Sequence, residues 1–343
     1  MKKLLNTLYV TTPDRWLSLD GENVLISEQN EQVGRVPLHQ LERIILFGGG
    51  GASQELMGKC AAEGCELVFM SRSGQFEARV EGEINGNVLL RRNQYRAADD
   101  DAVGVGIARN MVLAELFNSR WSIERTIRDH PMRIDIERLR QRSDILKNAM
   151  QQAQCAKDMA ALRSLAEEGA VVYFSVFDDL ILQQKDVFFF RGRNHLSSPD
   201  RVNVMLSFAH ALVVEMSTSA LEAVGLDPYV GFLHTDRPGS CSLALDLAEE
   251  LRALTCDRFV LMLINKRIMG DRDFIHREDG AVLLSEDGKR NFITAWQNRK
   301  HIEIMHPFLK DKVQWGMLPY VQAVLLARYL RGDLEEYPPF LWK

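Results

Sequence analysis

The chain has 343 residues, with 42 Lys and Arg against 47 Asp and Glu and a formal net charge of −5. That length is about twice a typical domain, so two domains with ample core are expected, and 46% apolar with 26% charged residues excludes wholesale disorder and a small cross-linked scaffold. Mild acidity gives no global attraction for a polyanion, although local basic patches act on a chain of either sign.

The five cysteines, Cys60, Cys65, Cys155, Cys241 and Cys256, are scattered and form no CxxC pair of the zinc-binding kind. A reducing, cytoplasmic setting is the expectation. The start MKKLLNTLYVTT has no apolar stretch of signal-peptide length, and no later run approaches 18 uninterrupted apolar residues. Neither export nor a membrane span is expected.

From Leu4 to about Leu90 the apolar runs are short and broken by turn residues: LLNTLYVTT, WLSLDG, NVLIS, VGRVPL, RIILFGGGG, ELVFM, GQFEARVEG and GNVLL. These read as strands, and in GQFEARV the alternation of Phe76, Ala78 and Val80 with Glu77 and Arg79 is that of a strand with one wet face. Residues 53–62 read as one short helix capped by Ser53, with Leu56 and Met57 inward. FGGGGAS, residues 47–53, lacks both a P-loop ending and a dinucleotide-binding spacing, and reads as a flexible strand-to-helix turn. GVGIAR, residues 104–109, is two glycines inside a helical pattern.

Beyond the Arg-rich joint at residues 89–101 the texture becomes helical, in the segments 102–130, 133–154 and 158–182. A brief apolar run at residues 279–285, bracketed by Asp279-Gly280 and Asp287-Gly288, reads as a hairpin interrupting the helices. Basic residues gather around Arg91, Arg191 to Arg201, Arg258 to Arg267 and Lys289 to Lys300, near aromatics and amides. That mixture suits phosphate contacts and base stacking, and equally a solvated surface.

Three segments of the helical half carry candidate chemistry: Glu167-Glu168-Gly169 through Tyr173-Phe174, then Gly231-Phe232-Leu233-His234, then Ser242 to Arg252 with Asp246, Glu249 and Glu250. Asp246 lies three residues from Glu249 and four from Glu250, so the carboxylates share a helical face and repel unless a cation sits among them. Mg²⁺ or Mn²⁺, which favour carboxylate oxygens and, for Mn²⁺, an imidazole nitrogen, would serve. A solvated acidic face beside a structural histidine is the competing reading.

In this order the three segments resemble the catalytic integrase-nuclease subunit of the CRISPR spacer-acquisition (adaptation) complex, most like that of type I systems. The likeness runs nearly the whole chain, through the LYV opening, VPLHQLERIILFG at 36–48, the GQFEAR ending, RGRNHLSSPDRVNVMLSFAHALV at 191–213 and the DLAEELR helix. The resemblance implies an α+β two-domain fold: an N-terminal β-sandwich-like dimerisation domain, residues 1–92, followed by a mainly α-helical catalytic domain, residues 93–343, that binds metal and DNA. Carried over onto this sequence, the Glu of the family's EGxxxxxYF motif is placed on Glu168, the His of GxLH on His234, and the acidic residue three beyond the Asp of the last helix on Glu249. These three would hold Mg²⁺ or Mn²⁺, and Asp246 would support them as part of the catalytic group. His195 and Ser198 depart from the family wording and carry no role.

The implied activity is metal-dependent insertion of short double-stranded DNA into the repeat array by 3′-hydroxyl attack on a phosphodiester, with endonuclease cleavage as the same chemistry using water. Arg191, Arg193, Arg201, Arg258 and Arg290 are the DNA-contact candidates. The implied partners are prespacer and repeat DNA, a second copy of the chain, and the small ferredoxin-like second adaptation protein, assembled as a heterohexamer. A stand-alone metal-dependent endonuclease acting on branched DNA and a non-catalytic DNA-binding scaffold are the alternatives.

Overall fold

A computed structural model describes residues 6–72, 74–80, 82, 87–193, 200–278 and 280–343. The short apolar runs of the first part become β1 (Thr7–Val10), β2 (Trp16–Asp20), β3 (Asn23–Glu28), β4 (Glu31–Pro37), β5 (Arg43–Phe47), β6 (Gly51–Ala52), β7 (Glu66–Met70) and β8 (Phe76–Val80). One helix, α1 (Gln54–Glu63), connects β6 to β7 and starts where Ser53 Oγ accepts the Leu56 amide at 3.3 Å. The strands form two four-stranded sheets, ordered β1-β5-β7-β8 and β4-β3-β2-β6. β1, β5 and β7 are parallel, and β8 returns antiparallel on the edge.

The central strand β5 shows why the sheets stack as they do. All five of its residues are buried. Ile44 and Leu46 pack between the sheets with Leu17, Val24 and Leu67, while Ile45 and Phe47 turn into the helical core. The glycine run after β5 is the expected turn: Gly48 and Gly49 have φ of 74° and 82°, which L side chains rarely adopt.

Two strand expectations change. GNVLL, of which Gly86 lies outside the described residues, is not a strand from Asn87 on: Asn87 Oδ1 accepts the amides of Leu89 and Leu90 and caps α2 (Val88–Asp99). In β8 the expected wet and dry faces do not hold: Phe76, 51% exposed, and Ala78 face solvent, whereas the Arg79 side chain is buried against Glu66 and Glu222.

The helical part comprises α3 (Asp101–Asp129), α4 (Ile136–Cys155), α5 (Met159–Phe174), α6 (Arg201–Val224), α7 (Ser242–Arg252) and α8 (Arg258–Asn265). The glycines at 104 and 106 lie within α3. The hairpin pairs β9 (Phe274–His276) with β10 (Val282–Leu284). Its expected first turn is only partly visible, since Asp279 lies outside the described residues. Asp287-Gly288 is not a turn but part of the first turn of α9 (Glu286–Lys300), capped by Ser285. A small hairpin of β11 (Glu303–Met305) and β12 (Lys312–Gln314) leads to α10 (Leu318–Leu330). Among the described residues α6 alone is long and apolar enough to cross a membrane, and 72% of its apolar window is buried inside the protein.

The chain end returns to the centre. Asn118 of α3 donates to the carbonyls of Glu250 and Phe340 and accepts from the Trp342 amide. Glu250, fully buried on α7, accepts from Gln322 of α10, the Tyr337 hydroxyl and the Phe340 amide. Burial pushes its carboxyl up to about 7 although those bonds pull the other way. The folded state therefore holds this proton more tightly than the unfolded chain, and stability from this group falls as pH rises from about 4.5 through about 7. Glu250→Gln should flatten that slope by up to roughly 3 kcal/mol, read as the difference between wild-type and variant denaturation midpoints at pH 5 and pH 8.

Candidate active site

The site is built around one carboxylate. Asp246 has no solvent exposure, and its Oδ2 accepts the amides of Phe232 at 2.7 Å and Leu233 at 3.0 Å. Its Oδ1 accepts the amide of His234 at 2.8 Å and meets His234 Nδ1 at 2.6 Å. Three consecutive amides and an imidazole thus converge on one side chain of α7, which fixes a loop that has no secondary structure of its own. Gly231 is required for this approach, because a Cβ there would lie 2.8 Å from Ser242 Cβ and 3.0 Å from Asp246 Oδ2.

With Nδ1 bonded to Asp246, His234 presents Nε2 outward from a ring that keeps 37% side-chain exposure. The Asp246 hydrogen bond raises its pKa against the opposing effect of burial, and the negative fields of Asp246, Glu249 and Glu115 add to the rise.

Glu249, one turn beyond Asp246, takes Arg252 Nε on Oε2 at 2.6 Å and His210 Nε2 on Oε1 at 3.2 Å. Burial works to raise its pKa, but Arg252 and then His210 outweigh it and hold the carboxylate well below its usual range. Arg252 also reaches Glu115 at 2.9 Å and Asp257 at 3.4 Å, and its guanidinium lies 4.9 Å from the Phe174 ring centroid. Burial pushes Glu115 up to about 7 and Asp257 up to about 6, with Arg252 opposing in both. Glu250, expected to share this acidic face, instead faces the chain end.

Glu168 does not join the group. It is exposed on α5, its Oε1 accepts from Ser164 Oγ at 2.8 Å, and among the described residues no three His, Cys, Asp or Glu side chains are placed to hold a metal ion. The donors present therefore fit Mg²⁺ or Mn²⁺ only in part: His234 Nε2 and Glu249 are suitable, but Glu249 is already engaged by Arg252 and by His210.

A family model described as CRISPR associated protein Cas1 matches residues 8–298. The chain belongs to the Cas1 family. It is 45% identical over 343 residues to the CRISPR-associated endonuclease Cas1 1 of Chlorobaculum tepidum and 44% identical over 353 to the CRISPR-associated endonuclease Cas1 2 of Rhodospirillum rubrum, each alignment covering 100% of both chains. The fold is similar to that of a casposase bound to integration product, with a TM-score of 0.83 at 21% identity, covering 98% of this chain and 93% of that one. A Cas1 protein from Thermotoga maritima gives 0.80 at 19% identity, covering 95% and 97%.

Within this Cas1 family chain the motif placement on Glu168 needs correction. EGxxxxxYF has five residues between its Gly and Tyr, whereas only three separate Gly169 from Tyr173. Counted back from Tyr173-Phe174, the Glu position of the motif is Ala166.

The basic candidates separate by environment. Arg193 donates to Asn203 and Ser207, and Arg201 binds the Val187 carbonyl, Asp271 and His276, so both are engaged internally. Arg290 pairs with Asp287 one turn away, and Arg191 is exposed beside the Phe189 ring. Arg258 is different. It shares a cavity of about 430 Å³ with Arg125, Arg133, Lys266 and Arg299, and Asp129 is the sole acid in the lining. Its Nη1 is buried with no hydrogen-bond partner among the described residues. Burial, with the like charges of Arg125 and Arg299, pulls its pKa down to about 10.

Sequence reasoning missed Arg252, His210 and Glu115. Arg252 was legible as the cation one turn after Glu249 on α7, and Glu115 as a lone charge in the apolar stretch of α3. Asp246→Asn should leave the Phe232 and Leu233 amides short of an acceptor, cost about 2 kcal/mol or more, and drop the His234 pKa toward its ordinary value. The raised pKa means that His234 contributes stability below its unfolded pKa and loses it as pH climbs through the folded one. Imidazole NMR titration and urea denaturation of the variant read both effects.

Proposed function

We propose that this chain is the DNA-integrating subunit of CRISPR adaptation, joining the 3′-hydroxyl ends of short double-stranded DNA to phosphodiesters at a repeat. The observation that carries this reading is the Asp246 cradle, which presents His234 Nε2 beside Glu249 in a chain related end to end to Cas1 endonucleases. Asp246 fixes the tautomer of His234, so that in the neutral ring Nε2 offers its lone pair toward the reacting phosphate. A divalent ion, Mg²⁺ or Mn²⁺, held through His234 and Glu249 would polarise the scissile phosphate when bound.

The Arg258 cavity supports a phosphate contact, because several cations face it with one acid between them. Exposed Trp16, Val33 and Phe76 on the N-terminal sheets support self-association through that part. Similarity of fold to a Cas6-RT-Cas1–Cas2 complex, with a TM-score of 0.83 at 19% identity over 99% of this chain and 36% of that one, supports assembly with a small second adaptation protein, and a heterohexamer is the form proposed for it. Five unpaired cysteines suit a cytoplasmic site of action.

The test is strand transfer of a labelled duplex into a supercoiled plasmid bearing a repeat, at saturating Mn²⁺, with and without the small partner. Wild type should give covalently joined product, His234→Ala should reduce it by about a hundredfold, and Glu168→Ala should leave it within about twofold. Nicks without joining would favour the stand-alone endonuclease, and equal behaviour of all three proteins the scaffold. Arg258→Ala should weaken DNA binding and lower the slope of log affinity against log salt by about 1, measured by fluorescence anisotropy.

A further inference from the structure

Helix α5 meets the centre along one stripe. At its N-terminal end Arg163 Nε donates to the carbonyl of Leu233, the residue before His234, at 2.6 Å. Ten residues on, Tyr173 is fully buried with Arg252 6.0 Å from its ring centroid, and Arg252 is the cation that holds Glu249. One end of the stripe is thus tied to the His234 loop and the other to the Glu249 pair.

With about 3.6 residues per turn, the positions between those ends on the same face are 166 and 170. Both are alanine. Glu168 falls about 140° around the helix from Arg163 and about 160° from Ala166, which agrees with its exposure and its bond to Ser164. Gly169 is also accounted for, since a Cβ there would collide with the Leu116 side chain on α3. The α5 face turned toward His234 and Glu249 therefore offers methyl groups and no ligand.

We infer that the centre of this chain is short of one carboxylate, and that residue 166 is the position that sets its affinity for a divalent cation. A cation at His234 Nε2 must compete with Arg252 and His210 for Glu249 and finds no third side chain from α5. A glutamate at 166 would stand on the face already aimed at both, in a helix interior where glutamate is well tolerated. The inference rests on the reading that this centre meets a divalent ion, and cation binding without DNA reads it separately from strand transfer.

The experiment is Mn²⁺ binding to the full-length protein, followed by electron paramagnetic resonance of the free ion in the absence of DNA. Ala166→Glu should bind one Mn²⁺ at least about tenfold more tightly than wild type, and the gain should vanish in the Ala166→Glu, His234→Ala double variant. Ala166→Gln, of the same shape without the charge, should show much less of the gain, and matched thermal melts establish that all variants fold. Glu168→Ala should bind as wild type does. Wild-type binding that is tight and lost with Glu168→Ala would overturn the inference, as would a folded Ala166→Glu variant with unchanged affinity.

Discussion

Everything about the candidate centre depends on a carboxylate that no solvent reaches. Asp246 replaces water for the amides of Phe232, Leu233 and His234 and for the imidazole, so its charge is spread over four donors rather than left in a low-dielectric interior. The loop 231–234 owes its shape to this contact. Because α5 also grips the loop through Arg163, three segments distant in sequence are locked around one histidine, and its free nitrogen is aimed without a structured loop to carry it.

Beneath that layer lies a charge imbalance. Arg252 is surrounded by Glu115, Glu249 and Asp257, one cation among three acids. Burial resolves the conflict by raising the pKa of Glu115 and Asp257 toward neutrality while Glu249, nearer to solvent and paired twice, stays ionised. The arrangement keeps one dependable anion at the edge of the site and lets the deeper acids share protons. Phe174 and Tyr173 cover the guanidinium and hold water away from it.

The sequence made the two halves legible through periodicity, since alternation marked the strands and helical spacing marked the long segments. GNVLL misled because its apolar letters suit a strand while Asn87, a capping residue, decides for a helix. The pairing of His234 with Asp246 and the place of Glu249 one turn on were legible because Gly231 to His234 and Ser242 to Arg252 set an imidazole and helix-spaced carboxylates close together in the chain. Glu168 was misplaced for a different reason: neighbouring acidic letters hide the helical phase, and two residues along a helix turn a side chain about 200°, from the inner face to solvent. Arg201 and Arg290 looked like a basic surface, yet each is matched by an aspartate that only the fold or a helical turn brings near. Pairings such as Arg252 with Glu115, far apart in the chain, left no local trace.

The return of the chain end to α7 also sets an order of events. Glu250 neighbours Glu249, and its partners Tyr337 and Phe340 lie among the last residues of the sequence. During synthesis α7 leaves the ribosome long before those partners exist, so its buried acid must wait for the tail. The centre reaches its final form only when these residues have been made, and a chain released just short of them would carry every named side chain of the site and still lack the closure that seats the helix bearing them.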